Sequence, residues 1–285
     1  MLLIIGATGK VGTALVAQLR EQQLPFRALA HSPASLARLG EQGIDAVLVD
    51  EARPGWADAA FAGVDRAFLL TPGGPDQPAT ERALVDAARR AGVRRIVRLS
   101  VLAADDSTVS LLRSHRQAEQ YVRKSGLGYT FLRPNAFMQN LGTADLPTIR
   151  QQGAIFNSAA DGRVSFVDTR DIAAVAVAAL RDERHVGQTY DLTGPEALSY
   201  SEVAVKLTSL LGRPVRHVPL EDEAYRGALL SAGLPGSLAE GLAELYRFYR
   251  EGHGAVISDA VARLTGHPAR TLDAYLTEHR ALFAG

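Results

Sequence analysis

The chain has 285 residues, 47% of them hydrophobic, and its 31 basic side chains balance 31 acidic ones. That length and apolar content suit one large α/β domain or a domain with a smaller appendage, and the neutral balance argues against a nucleic-acid or acidic-membrane partner. The lack of cysteine excludes disulfides, thiolate nucleophiles and thiolate metal sites together, and the seven histidines show no H-E-x-x-H spacing, so no metal is expected. The longest apolar stretch, residues 172–180, is far short of the ~20 residues that span a bilayer. Residues 2–5 are too short for a signal core, so the chain reads as cytoplasmic.

In chain order, the apolar run at residues 2–5 leads straight into Gly6-Ala7-Thr8-Gly9-Lys10-Val11-Gly12, and an amphipathic helix follows with Val11, Leu15 and Leu19 on one face. A strand, a glycine turn and a helix N-terminus in this order form the arrangement that receives a dinucleotide pyrophosphate. Gly6 allows a sharp turn off the strand, Gly9 a close approach of backbone to phosphate, and Gly12 tight packing of helix on sheet. Thr8 and Lys10 are candidates to add a hydroxyl and a charge. The spacing is G-x-x-G-x-x-G rather than G-x-G-x-x-G, and Lys10 is followed by Val11, which disfavours a nucleotide triphosphate loop.

A second strand at Phe26–Ala30 completes one βαβ unit. Strand-like runs recur at residues 45–49, 66–71, 95–100 and 129–133, with helix-like stretches at 78–91 and 111–125. The alternation predicts an α/β, Rossmann-type doubly wound parallel sheet. Ligands of such sheets sit at the carboxyl ends of the strands, which directs attention to residues 6–12, 31–32, 50, 71–74, 100–103 and 134–138. The pairs Arg89-Arg90 and Arg94-Arg95 are read as solvated. Residues 1–150 are expected to form the dinucleotide domain. Segments near 164–195, namely residues 164–167, a helix at 171–180 and residues 189–192, are expected to rejoin it. Residues 196–285, with helical segments near 203–211, 221–232, 237–251 and 272–283, are expected to form a smaller, mostly helical C-terminal substrate subdomain.

Several blocks together resemble the NmrA-like group of atypical short-chain dehydrogenases/reductases. They are the opening glycine turn; Phe61-Ala62-Gly63-Val64-Asp65 leading into Phe68-Leu69-Leu70-Thr71-Pro72; Ser125-Gly126-Leu127 with Tyr129-Thr130-Phe131-Leu132-Arg133-Pro134-Asn135; and Val167-Asp168-Thr169-Arg170-Asp171-Ile172-Ala173. The likeness runs from residue 1 to about residue 220 and is nearest to the bacterial quinone reductase and triphenylmethane reductase branch. It implies an NAD(P)H-dependent oxidoreductase that passes hydride to an aromatic or conjugated acceptor of the quinone, enone, imine or ketone type. The group also contains redox-sensing regulators that bind the dinucleotide without turning it over, so a non-catalytic NADP(H) sensor is the alternative.

The resemblance further implies that Gly6, Thr8, Gly9, Lys10, Val11 and Gly12 hold the pyrophosphate. Thr71, Pro72, Gly73, Ser100 and Val101 would pass beneath the ribose and nicotinamide. Asp50 would approach the adenine amine, and Pro134, Asn135 and Phe137 would meet the nicotinamide face. Ser100 reads equally as a strand-end hydroxyl bonding nearby groups, Asp50 as a turn or cap residue, and Asn135 as a turn former. The second strand ends Ala30-His31-Ser32-Pro33 without the carboxylate that would mark NAD, so NADP(H) is preferred with NAD(H) possible. His31 stands where many relatives carry arginine and is a weaker phosphate ligand, because an imidazole loses its charge near neutral pH. Arg27 and Arg38 are candidates to compensate.

The wider superfamily uses a Tyr-x-x-x-Lys pair to donate a proton. Tyr121 and Lys124 are three apart and late on their helix, so Tyr121 reads as packing and no catalytic residue is assigned. His115 and Asn135 are the weak candidates, with Phe137, Met138 and Tyr225 as pocket walls that would suit an aromatic ligand. The partner is a small aromatic or conjugated substrate, and the chain is expected to be a monomer or homodimer.

Overall fold

The structure, a computed structural model, describes residues 1–53, 55–73, 77–105 and 108–284; Gly74, among the strand-end residues named above, lies outside them. The N-terminal half alternates as expected: β1 (Leu2–Ile4), α1 (Lys10–Glu21), β2 (Phe26–Ala30), α2 (Pro33–Glu41), β3 (Ala46–Leu48), α3 (Trp56–Ala60), β4 (Arg66–Leu69), α4 (Gln77–Arg90), β5 (Arg95–Leu99), α5 (Ser110–Lys124) and β6 (Gly128–Pro134). There follow α6 (Leu146–Gln152), β7 (Ala154–Asn157), β8 (Arg163–Val164), α7 (Thr169–Arg181), β9 (Gln188–Leu192), β10 (Leu198–Ser199), α8 (Tyr200–Leu211) and β11 (Arg216–Pro219). The chain closes with α9 (Asp222–Ser231), α10 (Gly236–Arg250), α11 (Ala260–Thr265), α12 (Leu272–Glu278) and α13 (Arg280–Ala284).

Seven strands form the central sheet in the order β3-β2-β1-β4-β5-β6-β9, so the strand order reverses between β1 and β4. The registers from β3 through β6 are parallel, with Leu3 opposite Arg27 and Ala67, and Ile96 opposite Ala67 and Tyr129. This is the doubly wound α/β fold. Leu3, Leu29, Leu69, Ile96 and Phe131 from five of these strands join Leu84, Val85, Ala88 and Val122 from α4 and α5 in one buried core. On α1, Val11, Leu15, Val16 and Leu19 are buried at helical spacing, so the apolar stripe anchors the helix that starts at the glycine turn.

Helix α2 was not legible from hydrophobic periodicity, because Leu39 is its only fully buried residue. Its signal was chemical instead. Ser32 caps the helix by accepting from Ser35 N, and Pro33 occupies the first turn.

The chain divides into two compact units. The first comprises Met1–Ala104, Ser114–Arg133 and Ile172–Tyr190; the second comprises Asp105–Arg113, Pro134–Asp171 and Asp191–Gly285. The first unit thus leaves its opening segment well before residue 150 and later takes back most of α7 and part of β9. In the second unit β7 pairs in parallel with β11, and β8 pairs antiparallel with β10. Residues 164–167 therefore do not extend the main sheet, and the single helical segment expected at 272–283 is broken at His279 into α12 and α13. Strands of two to four residues hold too few alternations to show a period.

The solvated reading of Arg94-Arg95 is corrected at Arg95, which is buried. Its guanidinium donates to the carbonyls of Leu180 and Asp182 at the C-terminal end of α7, and Arg66 also donates to Leu180 O, at 2.7 Å. Cations there satisfy carbonyls that have no intrahelical partner. Arg94 is exposed and pairs with Asp65 at 2.5 Å. Arg95→Met should lower the unfolding free energy by about 2–3 kcal/mol, whereas Arg94→Met should leave the urea midpoint nearly unchanged; denaturation curves of the two variants test this contrast.

Candidate functional site

The glycine turn behaves as a close-packed hinge with one open side. Gly6 has φ +83°, and a Cβ there would lie 2.5 Å from Leu70 O; a Cβ on Gly12 would lie 1.9 Å from Gly6 O. Both positions therefore exclude any side chain, one by backbone conformation and contact, the other by contact alone. Gly9 differs. Its backbone is extended, and a Cβ would meet only Gly6 O, at 3.5 Å. Gly9 also caps α1 without any side-chain hydrogen bond, and the first turn of α1 carries no acidic residue. Amide groups at a helix start with no side-chain cap attract an anion, so the turn fits a pyrophosphate on its open side. Thr8, Gly9 and Lys10 are exposed there, while Val11 is buried and can offer backbone only.

Beyond the ends of β2 and β3 lies a depression of about 680 Å³, lined among others by His31, Asp50, Glu51 and Trp56. His31 Nδ1 lies 2.9 Å from Glu51 Oε1. Asp50 accepts from Ala52 N at 3.2 Å and pairs with Arg53 at 3.0 Å, the bonding of a turn-forming aspartate. Arg27 is engaged with Asp45 at 3.0 Å. Glu51 and Trp56 are site residues that the sequence reading missed. The only tryptophan, placed just after Gly55 in the left-handed conformation, was the available signal.

At the ends of β4 and β5 the geometry repeats itself. Thr71 donates its hydroxyl to Glu81 Oε1 at 2.7 Å, and Glu81 in turn takes two bonds from Arg98, at 2.8 and 3.0 Å. Ser100 donates to Glu119 Oε1 at 2.6 Å, and Glu119 takes two bonds from Arg133, at 2.9 and 2.6 Å. All six side chains are buried. Burial alone would raise the Glu81 carboxyl, but Arg98 and Thr71 outweigh it and hold it below the usual carboxylate range. His115, half-buried on α5, completes the first set with its Nδ1 at 3.3 Å from Arg98 Nη2. Burial, then the Arg98 charge, push His115 down to about 3, so it is neutral at ordinary pH. Pro72 and Gly73 are exposed and Val101 half-buried. Tyr121 donates to Asp86 at 2.9 Å, a bond that holds α5 to α4.

The remaining predicted residues belong to the second unit. Asn135 is 4% exposed, and both of its amide protons are engaged within the unit. Its Nδ2 donates to Ser165 Oγ and Gly254 O, both at 2.8 Å, and its Oδ1 accepts from Ala136 N. Pro134 is buried, and Phe137 is half-buried and bridges to Val167. Met138 is 1% exposed and Tyr225 8%, so both are core rather than open pocket wall. Tyr225 packs on Tyr246 at 4.9 Å within a group that also holds Tyr200 and Tyr249.

A parallel sheet with this strand order, opened by a glycine turn that excludes side chains at two of its three glycines, defines a dinucleotide-binding protein. The sequence pattern of the NmrA-like family matches residues 1–276, and the chain belongs to that family. It is 40% identical to an NAD(P)H azoreductase of Xenophilus azovorans, over 99% of each chain. It is 39% identical to a (4-alkanoyl-5-oxo-2,5-dihydrofuran-3-yl)methyl phosphate reductase of Streptomyces griseus, over 100% of this chain and 99% of that one. The NADPH-dependent quinone oxidoreductase of Escherichia coli solved with NADPH superposes with a TM-score of 0.88 at 30% identity, covering 99% of this chain and 100% of that one. No helix among the described residues is long and apolar enough to cross a membrane.

The two glycines should separate folding from binding. Gly12→Ala forces the helix off the turn and is expected to lower Tm sharply. Gly9→Ala should keep the parent Tm yet weaken NADPH binding by about tenfold, roughly 1.4 kcal/mol, as its methyl group enters the phosphate side. Calorimetry with NADPH titration reads both effects.

Proposed function

We propose that this protein is an NADPH-dependent reductase of aromatic or conjugated acceptors, with NADH as a poorer donor. The observation that carries the reading is the glycine turn, closed to side chains at Gly6 and Gly12 and open at Gly9, in a chain that two named reductases match over its length. A bound reduced nicotinamide supplies a hydride, two electrons with one proton, to the acceptor carbon. The turn and the start of α1 hold the pyrophosphate, and the depression beside β2 and β3 takes the adenosine end, with Trp56 and Asp50 near the base.

The chain has no Tyr-x-x-x-Lys donor, and Tyr121 spends its hydroxyl on Asp86. Quinones, enones and imines suit that absence, because conjugation delocalises the charge left by hydride addition and a solvent proton can neutralise it. A panel of such acceptors follows from this chemistry.

For the cofactor, His31 faces the expected position of the 2'-phosphate, but Glu51 beside it opposes a second anion. Glu51→Gln should therefore raise the NADPH over NADH ratio of kcat/KM by about three- to tenfold. In the parent protein NADPH should be oxidised faster than NADH against the panel. Tight NADPH binding, read by Trp56 fluorescence, with no turnover of any acceptor would overturn the assignment in favour of a sensor. A clear NADH preference would overturn the cofactor choice.

A further inference from the structure

Reduction of a conjugated acceptor leaves negative charge on a carbonyl oxygen or an imine or azo nitrogen, and a donor aimed at that atom lowers the barrier. At the ends of β4 and β5 the hydroxyls cannot serve. The Thr71 proton is directed to Glu81 and the Ser100 proton to Glu119, while both oxygens of each carboxylate already accept from an arginine. Ser100 is left with lone pairs only and can accept, not donate.

His115 is set up the opposite way. Arg98 Nη2, 3.3 Å from His115 Nδ1, has only protons to offer, so Nδ1 must be the acceptor and the ring proton must reside on Nε2. The charged groups facing the ring are Arg98 from β5 and Glu81 from α4, and both Glu81 oxygens are occupied by Arg98. Among the described residues no hydrogen bond is made to Nε2, and His115 as a residue is neither fully buried nor fully exposed. An imidazolium would turn a second N–H against the Arg98 guanidinium, which is why burial and Arg98 together hold the ring neutral, with a pKa of about 3.

We propose that His115 is the hydrogen-bond donor to the acceptor's electronegative atom, working through Nε2–H as a neutral imidazole whose tautomer Arg98 fixes. The inference rests on the reductase reading. A reduced nicotinamide bound there would lose two electrons as its hydride forms a new C–H bond, or an N–H bond in an azo acceptor, and the acceptor's multiple bond would gain them. The electron pair released onto the heteroatom is stabilised by Nε2–H, and the proton that finally neutralises it comes from solvent. His115 polarises; it gives up no proton.

Two measurements test this. In the unliganded protein, 15N-resolved imidazole spectra should show His115 as the Nε2–H tautomer, with no titration between about pH 5 and 8. An Nδ1–H tautomer, or an imidazolium forming near neutral pH, would sink the proposal whatever the enzyme turns over. In turnover against a quinone, His115→Phe should lower kcat by about 10- to 100-fold with NADPH affinity, followed by Trp56 fluorescence, within about twofold of the parent. His115→Gln, which restores an N–H, should recover most of that loss. Equal kcat in the parent and the Phe variant would also overturn it, while failure of the parent itself to reduce any acceptor would count against the reductase reading alone.

Discussion

Two buried arginine–glutamate pairs tie β5 and β6 to the helices that precede them. Arg98 on β5 holds Glu81 on α4, and Arg133 on β6 holds Glu119 on α5, with Arg98 completely buried. An ion pair out of water is a poor source of net stability, since desolvation offsets most of the Coulomb gain. Its value here is geometric. Each glutamate accepts a bidentate arginine from one strand and a hydroxyl from the end of the preceding one, so the strand ends are locked to the helices at fixed distances.

That lock decides what the site offers. The hydroxyl protons of Thr71 and Ser100 point inward to carboxylates, and the Arg98 guanidinium that neutralises Glu81 also confronts His115. A single buried cation therefore sets the charge state of one neighbour and the tautomer of the other. The phosphate end is made by different means. There the exclusion of side chains at Gly6 and Gly12 brings backbone to the surface, and the helix start needs no charge of its own.

The second unit is held by the same economy of polar groups. Asn135 donates to Ser165 and Gly254 and accepts from Ala136, and Asp168 takes hydrogen bonds from Gln139 and Arg170 that keep it below the usual carboxylate range despite burial. Its tyrosines 200, 225, 246 and 249 pack ring against ring, and burial raises each of their hydroxyls above the usual phenol range. Of these side chains, Asn135 and Tyr225 looked from sequence like site residues, and both are packed within the unit itself.

The sequence by itself determined the alternation of the main strands and helices of the central sheet, its doubly wound class and the position of the glycine turn, because apolar periodicity and glycine placement are local signals carried within one strand, turn or helix. It also indicated the family, since four separate blocks agreed. Only the tertiary structure decided which polar groups remain available. Glu81 and Arg98 are 17 residues apart and Ser100 and Glu119 are 19 apart, so no local pattern announces that they meet. Arg95, read as solvated, was misjudged for this reason, and the partners of Asn135 were equally out of view: a side chain's chemistry is written in the sequence, but its partner is set by packing between distant segments. The proton of His115 is the sharpest case, because its location on Nε2 depends on a single guanidinium from another strand.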